Sequence, residues 1–273
     1  MSSLQKSKWF SYPFRFKNSS ASFAGFFVAA MLLMGLCTPT FGDQMVQQWG
    51  YEGGTGPLHW GEMEQDHDKH LMCREGVHQS PIDINKVLGF ERKKLHIHYY
   101  ETSTQIINNK HTILLKYEPG SYVEWGNEVF ELIQFHFHHP SEHRLKGTSF
   151  PMEIHLVHKA SDNEYVVLAV LVKLGEQNPH IQKLWDTFPE EIDRFLIHKK
   201  KKITAENFLP DSKSYYHYTG SLTTPPCTEN VTWLILEEPI EISREQLEYF
   251  QNFIDHNARP IQKLHHRVII KLQ

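Results

Sequence analysis

Seven short stretches of this chain either alternate apolar with polar residues or run almost wholly apolar. They are HIHYY (96–100), HTILLKY (111–117), EVFELIQFHFH (128–138), MEIHLVH (152–158), EYVVLAVLVKL (164–174), VTWLILE (231–237) and RVIIK (267–271). Period-two alternation predicts a strand with one buried face, and the continuous apolar runs predict strands in the middle of a sheet. HPSEHRLKGTSFP (139–151) is rich in turn formers, so 128–138 and 152–158 are expected to pair as an antiparallel hairpin with a long loop. Helical spacing is scarce. The clearest case is 243–256, where Ser243 and Gln246 form a capping box and Ile242 and Leu247 a hydrophobic staple. Leu247, Phe250, Phe253 and Ile254 share one face of that helix, which must end before ARP (258–260). A shorter helix is expected over 178–187. No repeat or Ser/Gly-rich linker divides 43–273. The pattern predicts one mainly β domain with short peripheral helices.

The first 42 residues are of another kind. They hold Lys6, Lys8, Arg15 and Lys17 and no carboxylate, followed by the apolar run FAGFFVAAMLLMGL (23–36) and TPTFG. That run is short for a membrane span, and the sequence of basic, apolar and small residues is that of a secretory signal peptide cut before Asp43. An uncleaved anchor is the alternative that its length leaves open, and Leu36 ahead of Cys37 is too large for a lipid-attachment site. The expected location is periplasmic or secreted, with no stable membrane span after cleavage. Removing the four cations leaves 24 basic against 32 acidic residues, a net charge of −8. Such a surface argues against nucleic acid as partner, and the run Lys199–Lys202 reads as a solvated patch. Cys73 and Cys227 are then an even pair in an exported protein. A bridge between them would stabilise by roughly 5 kcal/mol on the chain-entropy model, and two buried thiols are the alternative.

The compositional oddity is 19 histidines. In QFHFH (134–138), His136 and His138 lie two apart and face the same way, opposite to Phe135 and Phe137. If 152–158 pairs with that strand, His155 is the third inward imidazole. Three neutral imidazoles with a fourth position open are the pattern of a catalytic zinc site, and no Cys or Met accompanies them as copper would favour. Gln134 and Glu153 each lie two residues before a histidine on the same face, placed to accept its second ring proton. His139, His143 and His158 receive no role, and His96 and His98 read as surface residues.

With these residues assembled, the chain resembles an α-class carbonic anhydrase over residues 45–273. The likeness rests on QWGYEG (48–53), PLHW (57–60), HQSPIDI (78–84), FHFHHPSEH (135–143), EIHLVH (153–158), YTGSLTTPPC (218–227), VTW (231–233) and NARP (257–260), in that order. It implies a large twisted, mostly antiparallel central sheet and the reversible hydration of carbon dioxide to bicarbonate and a proton. It implies one zinc ion per chain on His136, His138 and His155, with the backbone carbonyl of Asn257 behind His138. Thr223 and Glu142 resemble the family's gatekeeper pair: an ionised carboxylate can only accept, so Thr223 donates to Glu142 and its oxygen accepts from a zinc-bound hydroxide. Val157, Val167, Leu222 and Trp233 match the apolar pocket for carbon dioxide, and Thr224 lines the same wall. His111 resembles the shuttle histidine that carries the proton out, with Tyr51, Asn109 and Gln134 holding the water chain. Cys73 and Cys227 fall where secreted and bacterial members have a disulfide. Leu114 departs from the family, many of whose members carry a polar residue there. Two rivals follow from the same features: a non-catalytic binding domain, which would be expected to have lost a ligand, and a zinc-buffering protein, which would bind several ions. A homodimer is neither required nor excluded.

Overall fold

The computed structural model describes residues 48–63, 70–91, 93–160, 164–189 and 191–273. The leading segment read as a signal peptide, 1–42, lies outside the described residues. Strands dominate, and thirteen of them form one sheet. Ten run in a continuous hydrogen-bonded path: β1 (Gly89–Glu91), β2 (Thr102–Asn108), β3 (Ile113–Lys116), β4 (Glu128–His138), β5 (Met152–Lys159), β6 (Tyr165–Leu174), β7 (Phe195–Ile203), β8 (Tyr215–Ser221), β9 (Glu229–Leu236) and β10 (Ile270–Leu272). Their order across the sheet is β7-β2-β3-β4-β5-β6-β9-β8-β10-β1. Pairing on this path is antiparallel except between β6 and β9 and between β10 and β1. The most apolar strands, β5 and β6, are central and buried on both faces, as their composition predicts.

The expected hairpin forms, with β4 and β5 antiparallel and His136 directly opposite His155. Alternation then sends the two sets of side chains to opposite sides. Phe135, Phe137, Ile154 and Leu156 enter the larger core cluster, shared with Trp185, Phe208 and Phe250. Val157, Val167, Trp233 and Tyr218 belong to a second, smaller cluster on the other face. Helices are few: α1 (Met72–Glu75), α2 (Pro179–Trp185) and α3 (Arg244–Gln251). Ser243 and Gln246 make the full capping box on α3. That helix ends five residues before the sequence pattern suggested, because Phe253 and Ile254 continue the apolar face through a tight turn, each N–H bonding to Phe250 O. Strands β2, β7 and β8 escaped the sequence reading, since TSTQIIN, FLIHKKKKI and YYHYTGS mix polar residues into both faces. Cys73 on α1 and Cys227 form a disulfide.

Candidate metal centre

The β4–β5 register assembles the site. His138 lies opposite Glu153, His136 opposite His155, and Gln134 opposite Val157. On the flanking strands Leu114 opposes His136 and Val167 opposes Val157. Residues in such opposed pairs share a sheet face, so three imidazoles, a carboxylate and an amide are set on one surface. One ring nitrogen from each of His136, His138 and His155 lies within 4.8 Å of the others.

The remaining ring nitrogens are all engaged. His136 Nδ1 donates to Gln134 Oε1 at 2.9 Å, His138 Nδ1 to Asn257 O at 2.7 Å and His155 Nε2 to Glu153 Oε1 at 2.8 Å. These acceptors fix the tautomers, leaving lone pairs on Nε2 of His136 and His138 and Nδ1 of His155. His138 Nε2 and Glu142 Oε2 are buried with no hydrogen-bond partner. Burial lowers the pKa of all three imidazoles, that of His138 to about 4, so each is a neutral donor at pH 7.

Behind these residues lies a fully buried polar network. Glu153 Oε1 also accepts from His143 Nδ1 at 2.7 Å, and its Oε2 accepts from the His143 backbone at 2.8 Å. His143 Nε2 then accepts from Tyr218 Oη at 2.7 Å, and Tyr218 lies 2.7 Å from Ser80 Oγ. Gly220 makes this approach possible, because a Cβ there would collide with Ser80 Oγ. Burial pushes the Glu153 carboxyl up, but His143 and His155 together hold it well below the usual carboxylate range. The cluster of His143, Glu153 and His155 is thus a hydrogen-bonded chain that orients one imidazole.

Glu142 is handled differently. Its Oε1 accepts the Arg259 N–H at 2.8 Å, while Oε2 lies 3.5 Å from His138 Nε2 and 3.8 Å from His155 Nδ1. Burial raises this carboxyl to about 7, against the pull of His155, the Thr223 hydroxyl and the Arg259 N–H. The guanidinium of Arg259 reaches Gln79 Oε1, Ser80 O and Cys73 O, which ties the loop carrying it to the disulfide. Cys227 in turn donates its N–H to Thr224 O at 2.9 Å, closing the turn just beyond Thr223.

Two cavities are lined by these imidazoles, and a third shares residues with the second. One of about 210 Å³ is bounded by His136, His155, Val157, Val167, Leu222 and Trp233, together with Thr223 and Thr224. A second of about 130 Å³ is lined by His136, His138, Leu114 and Gln134 together with Tyr51, Asn109 and His111. The third, about 870 Å³ and open to solvent, also includes His111 and Tyr51. His136 is therefore common to the inner two and His111 to the outer two. The His111 ring stacks on Trp49 at 3.7 Å between centroids. Its turn is held by Asn109 Oδ1, which accepts from the backbone of His111 and Thr112, and by Asn257 Nδ2, which donates to His111 O. Partial burial and Lys110 lower the His111 pKa below 6.5.

Glu142 and Glu153 lie behind the imidazoles, outside the linings of these cavities, and Cys73 and Cys227 form the disulfide. Sequence reasoning passed over His143, Arg259, Trp49 and Tyr218. Of these, His143 carried a signal: it directly follows Glu142 in the loop that joins the two histidine-bearing strands. His139, also left without a role, donates from Nδ1 to Pro151 O and accepts at Nε2 from Gln251. His158 is buried on the opposite face, accepting from Tyr99 Oη at 2.8 Å.

A family model described as eukaryotic-type carbonic anhydrase matches residues 55–273. A carbonic anhydrase of Nostoc is 40% identical over 228 residues, covering 82% of this chain and 85% of its own length. Among solved structures, a hyperthermostable carbonic anhydrase from a hydrothermal vent chimney is 44% identical with a TM-score of 0.79, covering 83% of this chain and 100% of its own. The α-carbonic anhydrase of Thermovibrio ammonificans, solved with the inhibitor sulfanilamide, is 40% identical with a TM-score of 0.78, over 83% and 99% respectively.

Proposed function

This chain belongs to the eukaryotic-type carbonic anhydrase family and is a carbonic anhydrase, and from that premise we propose that it hydrates carbon dioxide with one zinc ion held by His136, His138 and His155. One observation carries the assignment: a ring nitrogen of each histidine lies within 4.8 Å of the others while each ring's other nitrogen is committed to its own acceptor. The donors suit zinc, which takes neutral imidazoles and leaves a position for water when only three protein ligands are present. The orphaned His138 Nε2 is what such a site looks like in the protein alone. A zinc ion there supplies Lewis acidity, lowering the pKa of a coordinated water to about 7, a value for which carbonic anhydrase is itself the standard example.

The protein's own groups do the rest. A cation held by His136, His138 and His155 would favour the ionised form of Glu142, whose carboxylate would accept from the Thr223 hydroxyl. The Thr223 oxygen is left able only to accept, so it favours a nucleophile that carries a proton and aims its lone pair. Val157, Val167, Leu222 and Trp233 hold carbon dioxide in the 210 Å³ cavity. This pocket offers an apolar molecule a dry wall, with Thr224 at its polar margin. The proton released in the reaction passes through the 130 Å³ cavity, where Tyr51, Asn109 and Gln134 order water, to the His111 imidazole. His111 lies on the boundary with the solvent-open cavity and delivers the proton to buffer there. Leu114 narrows the polar part of this route. Export through the leading 1–42 segment, leaving a periplasmic or secreted enzyme of residues 43–273, completes the reading; the Cys73–Cys227 disulfide is compatible with it.

Stopped-flow carbon dioxide hydration on the 43–273 protein, with its zinc content and a His155→Ala control, tests the proposal. Fast hydration with one zinc per chain, both lost in the control, is expected. One tight zinc without hydration would sink it and leave a binding domain.

A further inference from the structure

Strand β7 forms one end of the sheet path, with β2 as its only neighbour among the described residues. Its register against β2 jumps: His198 opposes Thr104, and the next pair is Lys202 with Ser103. Lys199, Lys200 and Lys201 are thus extruded as a bulge. The bulge is tied down, since Thr104 Oγ1 donates to Lys201 O at 2.7 Å and Lys183 Nζ to Lys202 O at 2.9 Å. All four lysines are exposed, and none has a carboxylate within 4 Å among the described residues. Of the acids near this edge, Glu191 is paired with Arg194 at 2.9 Å, while Glu118 accepts from Ser103 and Gln105 and keeps its charge. Four ammonium groups with no ion pair among the described residues therefore stand together on a chain whose net charge is −4.

Beside them the strand turns apolar side chains to solvent. Leu196 packs on the main core, whereas Ile197 (53%) and Phe195 (37%) are exposed, as is Ile192 (56%) in the turn before the strand. Lys116 Nζ lies over the Phe195 ring at 5.3 Å. A charged edge alone would be explained as protection against strand-to-strand association. That explanation gives no place to an exposed aliphatic and aromatic shoulder, and neither does a soluble polyanion. An anionic bilayer uses both, because lysines meet its headgroups while apolar side chains enter the interface.

We propose that the β7 edge docks this protein peripherally on a membrane surface rich in anionic phospholipid. The orientation follows from the register. Phe195 opposes Ile107, Ile107 opposes Leu114, and Leu114 opposes His136. The apolar shoulder is therefore on the same sheet face as the metal centre, three strands or about 14 Å away. Docked by this edge, the protein brings the face that carries its cavities close to the bilayer, through which a small apolar gas arrives.

The test is vesicle sedimentation of the 43–273 protein, a part that matches solved relatives over 99–100% of their length and so constitutes a complete folding unit. Using it removes the leading apolar segment as an anchor. Phosphatidylcholine vesicles with and without equal phosphatidylglycerol are compared at low and molar salt. Binding is expected only with phosphatidylglycerol and only at low salt. Replacing Lys199, Lys200, Lys201 and Lys202 by Gln should weaken it several hundred-fold, at roughly five-fold per lysine. Phe195→Ser with Ile197→Ser should weaken vesicle binding about ten-fold and leave capture by soluble polyphosphate unchanged. Both variants should keep the parent's carbon dioxide hydration, which shows that they fold. Absence of vesicle binding, or equal binding by the lysine variant, overturns the proposal. So does capture by polyphosphate alone, which makes the partner a soluble polyanion, or self-association abolished by the lysine changes, which makes it a second copy.

Discussion

The two faces of the β4–β5 hairpin are built from alternate residues of the same segments, yet they answer to different physics. On one, Phe135, Phe137, Ile154 and Leu156 are wholly buried among apolar neighbours, and any group of suitable size and shape would serve. On the other, His136, His138, Glu153 and His155 are set by hydrogen bonds of 2.7–2.9 Å, each with a definite donor and acceptor. Packing tolerates adjustment over many small contacts. A polar constellation has few partners, and losing one leaves a buried group unpaired. Stability is thus concentrated on one side of the strand and chemistry on the other, one residue apart.

The strongest attempt to break this division is His155→Ala. It should abolish zinc retention and hydration, exceeding the 10–100-fold that loss of an outer partner typically brings. Glu153 would still be paired with His143, so the metal-free protein should lose less stability to urea than with Phe135→Ala. Phe135→Ala is the converse, expected to lose about 3–5 kcal/mol by denaturant titration while the folded fraction still binds one zinc. A larger effect on zinc affinity than on stability would show that the faces are not separable.

His158 crosses the boundary, a histidine on the packing side, and gives the next test. Burial lowers its pKa to about 4, so below its unfolded value of about 6.5 the unfolded chain binds the extra proton. Stability from this group is complete above pH 6.5 and is lost as pH falls towards 4, by up to roughly 3 kcal/mol. His158→Gln should flatten that part of the stability profile, measured by urea titration at fixed pH on the metal-free protein. An unchanged slope would reject the assignment. Smallest is Gln134→Ala, expected to weaken zinc binding about ten-fold in competition with a chelator, with little change in unfolding.

Alternation made much of this legible beforehand. His136, His138 and His155 could be placed on one face because a strand period of two admits no other arrangement once the hairpin pairs. Gln134 and Glu153 followed by the same arithmetic. Asn257, Thr223 and Glu142 did not: they reach the centre through loops, and only the family resemblance pointed to them. Arg259 and Tyr218 were hidden for a similar reason, since their contacts lie 117 and 75 residues away along the chain. Strand β7 was missed because its lysines mask a strand that pairs only on one side.

The Asn257 carbonyl behind His138 and the Arg259 N–H on Glu142 have a consequence for biosynthesis. The ligand hairpin emerges from the ribosome long before residues 257–259, and contacts of such separation form late because the intervening loop must close first. A nascent chain that has made only the hairpin holds His138 without its acceptor and Glu142 without its donor. On the proposed assignment, chains cut before Asn257 would hold zinc more weakly, by roughly the 10–100-fold that loss of an outer partner brings.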